Sequence, residues 1–189
     1  MLPWYYIYVK SNMQEHVLDI LKQRFNVFVH KTTKYKRVKK HVVKEDIPTI
    51  SGLVFVQGNM AEIQSILKER CFGIYLVKDK STGRPAVIQD KYMQTFIRLS
   101  QVSPFRIRFM PHPLEYYSEG HPLIKITSGV LDGLEGYHIR ISRNKCLITT
   151  MGGLTIAIEG VYKENFENVD ANSDIIGLLS SENNIKKET

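Results

Sequence analysis

The strongest constraint on the fold is one strand-like run, I-S-G-L-V-F-V-Q-G at residues 50–58. Its β-branched and aromatic residues suit the pleated surface of a sheet, and glycines near both ends bound it, which predicts a central strand. Side chains alternate along a strand, so Val54 and Val56 share one face. Leu53 and Phe55 then share the other face. Because both faces are apolar, each needs a surface that covers it.

The segments around this run alternate between strand and helix patterns. Aromatic and β-branched content predicts further strands at residues 4–10, 27–30 and 73–78. Helices are predicted to begin at Asn12, Asn59 and Asp90. The first two begin with an asparagine cap that is followed three residues later by glutamate, the spacing of a capping box. This order predicts an α+β domain over residues 1–100, a ferredoxin-like split βαβ sheet with an added helix.

A basic segment precedes the central strand. Residues 31–44, K-T-T-K-Y-K-R-V-K-K-H-V-V-K, contain seven Lys and Arg and no acid. Lysine is almost never buried unpaired, so the segment is predicted to be an exposed hairpin or loop. It is either a solvated basic loop or a patch that contacts the phosphates of a nucleic acid. The candidate nucleic-acid contacts are Lys34, Lys36, Arg37, Lys39 and Lys40.

The net charge of +7 is concentrated in the N-terminal part of the chain. Residues 1–118 contain 19 Lys and Arg against 9 Asp and Glu, whereas residues 119–167 contain 5 against 6. Any binding of a polyanion is therefore predicted to belong to the N-terminal part.

The C-terminal part has a different character. Residues 101–118 contain three prolines and no sustained helical period, which predicts a linker, although alternation at 105–109 also suits an edge strand. Residues 119–167 consist of short strand candidates separated by turns, which predicts a small all-β module closed into a barrel. Gly152-Gly153 is the clearest hairpin signal. Residues 168–189 are predicted to be a polar tail, partly disordered.

Motifs for catalysis or cofactor binding are absent from the sequence. The chain contains neither G-x-x-x-x-G-K-[ST] nor G-x-G-x-x-G, and no serine or cysteine lies in a nucleophile signature. Cys71 and Cys146 lack metal-site spacing, so both are expected to be buried reduced thiols. The histidines and glutamates of residues 112–121 lie in the predicted linker. We therefore expect no catalytic residue, no cofactor and no metal, and the lack of a signal peptide predicts a cytoplasmic protein.

Four stretches together resemble the bacterial transcription elongation factors of the NusG type. They are W-Y-Y-I-Y-V, S-G-L-V-F-V-Q, R-P-A-V-I-Q-D-K and G-H-P-L-I-K-I-T-S-G-V-L-D-G-L-E-G-Y-H-I-R-I. The resemblance covers residues 3–167 and implies a NusG N-terminal domain followed by a KOW module, which is an SH3-like barrel. The glycines of the last stretch resemble those that form the first turns of a KOW barrel.

The resemblance implies that the N-terminal domain binds the clamp helices of RNA polymerase and makes elongation processive. It assigns the polymerase contact to Ile50, Leu53 and Phe55; the alternative is that all three are ordinary core residues. For the KOW module it implies docking to ribosomal protein S10 or to the termination factor Rho. The docking loop is T-S-G-V-L-D-G-L-E-G, with Leu131 and Leu134 as its candidate contacts.

Departures from the family pattern favour a specialised relative over the general factor. Leu131 stands where general members often have an aromatic residue, and the basic hairpin is extended. We expect an antiterminator that acts on selected operons, such as those for capsular polysaccharides. The alternative is a KOW-containing RNA-binding protein of ribosome assembly, and the near-neutral charge of residues 119–167 argues against it.

Overall fold

The computed structural model describes residues 2–39 and 41–169. Lys40, one of the candidate nucleic-acid contacts, and nearly all of the predicted polar tail lie outside the described residues. The chain divides into two compact units. The first contains the chain up to Asp79, Gly83–Ile107 and Met151–Gly153, and the second contains Lys80–Thr82, Arg108–Thr150 and the chain from Leu154 onward. The predicted borders of a first domain at 1–100, a linker at 101–118 and a second domain at 119–167 stay predictions.

The first unit is built on a small antiparallel sheet. Its elements are β1 (Trp4–Tyr8), α1 (Gln14–Lys22), β2 (Asn26–Phe28), β3 (Lys31–Val38), β4 (His41–Pro48), β5 (Leu53–Gln57), α2 (Met60–Arg70) and α3 (Asp90–Val102). The three-stranded sheet has the order β1-β5-β2, so the prediction that residues 50–58 contain the central strand is confirmed. Since β5 is antiparallel to both neighbours, β1 and β2 run parallel without touching. This is the split βαβ arrangement that the sequence predicted.

The predicted fourth strand at 73–78 is reduced to isolated bridges. Ile7 pairs with Leu76 in antiparallel fashion, and Lys78 pairs with Pro85. The backbone amide of Val77 donates to Tyr6, and its carbonyl accepts from Ala86. Because the segment divides its backbone hydrogen bonds between two neighbours, it forms no continuous ladder.

The two predicted asparagine caps have different outcomes. Asn59 caps α2, since its Oδ1 accepts hydrogen bonds from the amides of Ala61 and Glu62 at 2.9 and 3.4 Å. The cap at Asn12 is wrong: residues 11–13 form a 3₁₀ turn, and α1 starts after it without a side-chain cap. The turn is held differently, by a 2.7 Å hydrogen bond between the hydroxyls of Ser11 and Ser51.

Helices α1 and α2 cover one face of the sheet. Val54 and Val56 are fully buried there, in a cluster with Val17, Leu21 and Ile63. Full burial of an aliphatic side chain contributes about 1.5–3 kcal/mol, so this face supplies a large part of the stability of the unit.

Helix α3 covers the opposite face of β5. Phe55 is fully buried, and its ring centroid lies 5.7 Å from that of Phe96 on α3. Tyr6 and Phe28 complete the cluster, at 6.1 and 6.3 Å from Phe55. The second apolar face that the sequence predicted therefore has a partner within the same unit.

A hydrogen-bond network fixes the first turn of α3 to the sheet. The carboxylate of Asp90 accepts from Trp4 Nε1 and from Gln57 Nε2, both at 2.8 Å, and from Gln94 Nε2 at 3.1 Å. The hydrogen bond from Trp4, followed by that from Gln94, lowers the pKa of this carboxyl group below its ordinary value of 3.8. The network links α3 to both β1 and β5.

The second unit contains nearly all residues of a six-stranded sheet, of which Ile107 and Met151 are assigned to the first unit. Its strands are β6 (Ile107–Phe109), β7 (Leu123–Ile126), β8 (Glu135–Ile141), β9 (Asn144–Met151), β10 (Leu154–Glu159) and β11 (Phe166–Asn168), in the order β11-β7-β8-β9-β10-β6. The Gly152-Gly153 turn between β9 and β10 has positive φ at both residues, 58° and 82°, as a two-residue hairpin requires. β6 lies at the sheet edge, which agrees with the edge-strand alternative for part of the predicted linker. Closure into a KOW barrel stays a prediction.

Both cysteines are free and buried, as predicted. Cys146 belongs to a small core in the second unit with Ile139 and Ile148. Burial raises the pKa of both thiols, so they stay protonated at neutral pH.

We expect Asp90→Asn to weaken the first unit at neutral pH and to have no effect in acid. A carboxyl group with a lowered folded-state pKa stabilises the fold above its unfolded pKa, and that contribution is lost as the pH falls through the folded value. The loss at pH 7 should stay below about 1 kcal/mol because the carboxylate is partly exposed and water screens it.

The measurement is the urea midpoint at several pH values, followed by the emission of Trp4, the chain's one tryptophan. Asp19→Asn, on the exposed side of α1, is the matched control. The stabilising role of the Asp90 carboxylate would be contradicted if the urea midpoints of Asp90→Asn and the wild type differed by the same amount from pH 7 to pH 3.

Candidate functional site

Strands β3 and β4 form an isolated hairpin that pairs with no other strand among the described residues. Its ladder is continuous from Lys31 opposite Pro48 to Val38 opposite His41. Lys39 lies in the turn with a positive φ of 55°. From Lys34 to Lys39 and from His41 to Asp46 every described side chain is exposed. The prediction of an exposed basic hairpin is confirmed.

The charges of this hairpin are divided along its length. Its two acids lie near the base, where Glu45 is opposite Lys34 and Asp46 accepts a 2.6 Å hydrogen bond from the hydroxyl of Thr33. The distal part, residues 35–44, contains only basic ionisable side chains besides Tyr35. A polyanion would therefore meet attraction at the tip and partial cancellation at the base.

The candidate nucleic-acid contacts are brought onto one hairpin but not onto one face. Lys34 and Lys36 are two residues apart and share a face, whereas Arg37 lies on the other. Lys39 is in the connecting turn. Long side chains on the two faces of the hairpin can reach the same nucleic-acid backbone only near the tip. Lys36, Arg37 and Lys39 are therefore better placed than Lys34 to contact one nucleic acid together.

The base of the hairpin is fixed by a buried histidine. His30 Nδ1 lies 2.6 Å from the hydroxyl of Thr49, whose amide donates to the His30 carbonyl at 3.0 Å. The imidazole also packs 5.4 Å from the ring of Phe96. Burial lowers its pKa to about 4, against the opposing effect of a hydrogen bond with the Pro104 backbone, so the ring is neutral at physiological pH. The hairpin is thus attached firmly to the body of the unit.

The predicted polymerase contacts lie mainly below the surface. Phe55 and Leu53 are buried, and only Ile50 is half-exposed. The reason is the position of α3, since Phe96 fills the space above Phe55. As direct surface contacts, Leu53 and Phe55 have no support in this geometry, and their role in binding stays a prediction.

Two tyrosines that the sequence analysis did not single out extend this face to the surface. Tyr8 is 49% exposed and is paired with Leu53, while Tyr75 is 74% exposed. The antiparallel bridge between Ile7 and Leu76 places Tyr75 beside Tyr8 on the other side of β1. Ile50 accepts a 3.3 Å backbone hydrogen bond from Leu53, the residue paired with Tyr8, and we call Tyr8, Tyr75 and Ile50 together the aromatic rim. The sequence did contain one signal for Tyr8: alternation along W-Y-Y-I-Y puts Tyr6 and Tyr8 on the same face of the strand.

The candidate docking residues of the second unit are also buried. Leu131 is fully buried in the short 3₁₀ turn Gly129–Leu131, and Leu134 is buried beside it. The loop is closed by backbone hydrogen bonds of Ile126 with Gly133 and Leu134, at 2.9 and 2.8 Å. Both leucines therefore fix the loop from inside, and its exposed residues are Thr127, Gly129, Asp132 and Gly133. A docking role for the two leucines stays a prediction.

Within residues 2–39 and 41–169, no three or more His, Cys, Asp or Glu side chains converge as a metal site would require. His112 from the predicted linker stacks on Tyr116, with 4.2 Å between ring centroids. In the same part of the chain, no helix is long and apolar enough to cross a membrane.

Comparisons with known proteins point to one family. A family model described as transcription termination factor nusG matches residues 2–97, which is just over half of the chain. The match contains the sheet, the basic hairpin, the aromatic rim and most of α3. A search of curated proteins finds no match.

Proposed function

Because this chain belongs to the NusG family of transcription factors, we propose that it binds RNA polymerase through its first unit and suppresses pausing or termination. Proteins of this non-enzymatic family bind RNA polymerase. The family match is the observation that carries the proposal, since it covers nearly all of the unit that holds both candidate surfaces.

The aromatic rim is the proposed contact for the clamp helices of the polymerase. Tyr8 and Tyr75 offer large, partly exposed rings, and tyrosine is enriched among residues that dominate binding energy at interfaces. Ile50 would touch the partner directly. Leu53 and Phe55 would act from beneath by holding the rim in place. An apolar strip of this kind suits the apolar face of a helix.

The basic hairpin is the proposed contact for upstream DNA or nascent RNA. Its cations would neutralise phosphates and release counterions, an interaction that depends on salt and does not depend on sequence. With the polymerase held at the rim and nucleic acid at the hairpin, the protein would oppose the clamp opening that accompanies pausing. The mechanism would be mechanical, without a chemical step.

The second unit is proposed to be a KOW module that recruits another factor. The exposed part of its loop, around Asp132, would approach ribosomal protein S10 or Rho, with Leu131 holding the loop from inside. Calorimetry of the full chain with each purified protein distinguishes the two partners. Failure of both to bind would remove this part of the proposal.

We expect Tyr8→Ala combined with Tyr75→Ala to reduce polymerase affinity at least about ten-fold while Trp4 emission stays native, because large anchors are lost from an exposed site. Ile50→Asp should act similarly. Phe55→Asp is expected to unfold the first unit instead, since it buries a carboxylate without a partner. The measurement is binding of the full chain to purified RNA polymerase at two salt concentrations.

Tyr162→Ala, at an exposed tyrosine of the second unit, is the control for the rim variants. Wild-type affinity in the rim variants would contradict the assignment of the surface. Binding only to ribosomal RNA, and only at low salt, would favour the alternative function in ribosome assembly.

We expect replacement of Lys36, Arg37, Lys39 and Lys40 by Ala to weaken nucleic-acid binding and leave polymerase binding largely intact. The slope of log affinity against log salt should become shallower by up to about 3.6, since each of the four lost phosphate contacts contributes roughly 0.7–0.9. The control variant removes four exposed cations elsewhere, namely Lys22, Lys68, Lys78 and Lys91. An equal loss of both activities would refute this division between the two surfaces.

We expect action on selected operons, such as those for surface polysaccharides, rather than on all genes. The extended basic hairpin motivates this expectation. Depletion followed by RNA sequencing should change transcript levels in the distal genes of a few long operons. Altered elongation across the whole transcriptome would identify a general factor instead.

A further inference from the structure

Tyr35 is an exposed aromatic residue in the middle of the basic hairpin. Its side chain is 73% exposed, and among the described residues no aromatic or cationic side chain lies over its ring. A tyrosine in this position contributes little to the folded state, because its apolar surface stays in water. The exposed ring therefore suggests a contact with a partner.

Opposite Tyr35 and on the side of the hairpin tip, its neighbours on the same face are cationic or apolar. Lys44 is directly opposite it on β4, and Arg37, two residues further along β3, is opposite Val42. Residues opposite each other in an antiparallel pair point to the same face with Cβ atoms about 4.5–5.5 Å apart. Arg37 lies roughly 7 Å along the strand. The ring is thus flanked by two cations, and the nearest acid on this face is Asp46, two residues from Lys44 toward the base, where it accepts a hydrogen bond from Thr33.

The charge of this surface determines which partner fits it. From Tyr35 to the tip this face carries cations and no acid, so it repels a basic surface and attracts a polyanion. An apolar protein groove would leave Lys44 and Arg37 desolvated without counter-charges. A nucleic acid satisfies both parts of the surface, because phosphates pair with the cations and a base covers the ring.

We infer that Tyr35 stacks on an unpaired base of single-stranded nucleic acid while Arg37 and Lys44 hold the adjacent phosphates. The faces of bases in a duplex are covered by their neighbours, so only an unpaired base can lie on the ring. Stacking tolerates any base because every base has a π face, so the contact is sequence-tolerant. This inference rests on the proposed nucleic-acid role of the hairpin and narrows it to unpaired strands.

The test compares fluorescence anisotropy of the full chain with short labelled oligothymidine, oligouridine and duplex DNA at one salt concentration. Tyr35→Ala should weaken binding of both single strands about ten-fold and change duplex binding less than about two-fold. Tyr35→Phe keeps the ring and should retain single-strand affinity. Tyr162→Ala removes an exposed tyrosine from the second unit and should have no effect.

The outcomes separate this inference from the function on which it rests. If Tyr35→Ala weakens the binding of duplex and of single strands equally, or leaves the binding of both unchanged, stacking is overturned while the cationic contact stands. If the variant lacking Lys36, Arg37, Lys39 and Lys40 also binds like the wild type, the nucleic-acid role of the hairpin falls as well. A loss with Tyr35→Phe equal to that with Tyr35→Ala would mean that the hydroxyl, not the ring, makes the contact.

Discussion

The burial of both faces of β5 is the constraint on which the first unit depends. Val54 and Val56 bury one face against α1 and α2, and Phe55 buries the other against Phe96 of α3. Helix α3 is in turn fixed by Asp90, which accepts hydrogen bonds from both β1 and β5. Since α3 occupies the middle of the second face, Tyr8 at the margin of this face stays exposed.

The same helix also supports the hairpin. Phe96 packs against His30, the residue that joins the hairpin base to Thr49. One aromatic side chain thus contacts both the core beneath the rim and the base of the basic hairpin. Displacing α3 would therefore disturb the two surfaces together, although they contact different kinds of molecule in the proposed function.

The sequence predicted the central strand, the split βαβ order, the Asn59 cap and the exposed hairpin because each depends on local pattern. The burial of Phe55 beneath α3 could not be predicted, since alternation assigns a residue to a face but does not tell which helix will cover that face. The burial of Leu131 could not be predicted for a similar reason, because it depends on how the loop folds back. Tyr8 and Tyr75 were missed because their proximity depends on a single bridge between distant segments.

The length of the hairpin has a consequence for affinity. Strands of eight residues at about 3.3 Å per residue extend roughly 26 Å, and the buried base at His30 makes the hairpin a stiff arm rather than a tether. In the proposed function, binding of the rim to the polymerase would confine the tip to a small volume, so the local concentration of the tip near upstream nucleic acid would be high. Two individually weak contacts on such a rigid body can together bind on the order of 10²–10⁴ times more tightly than either contact alone, without any additional interaction.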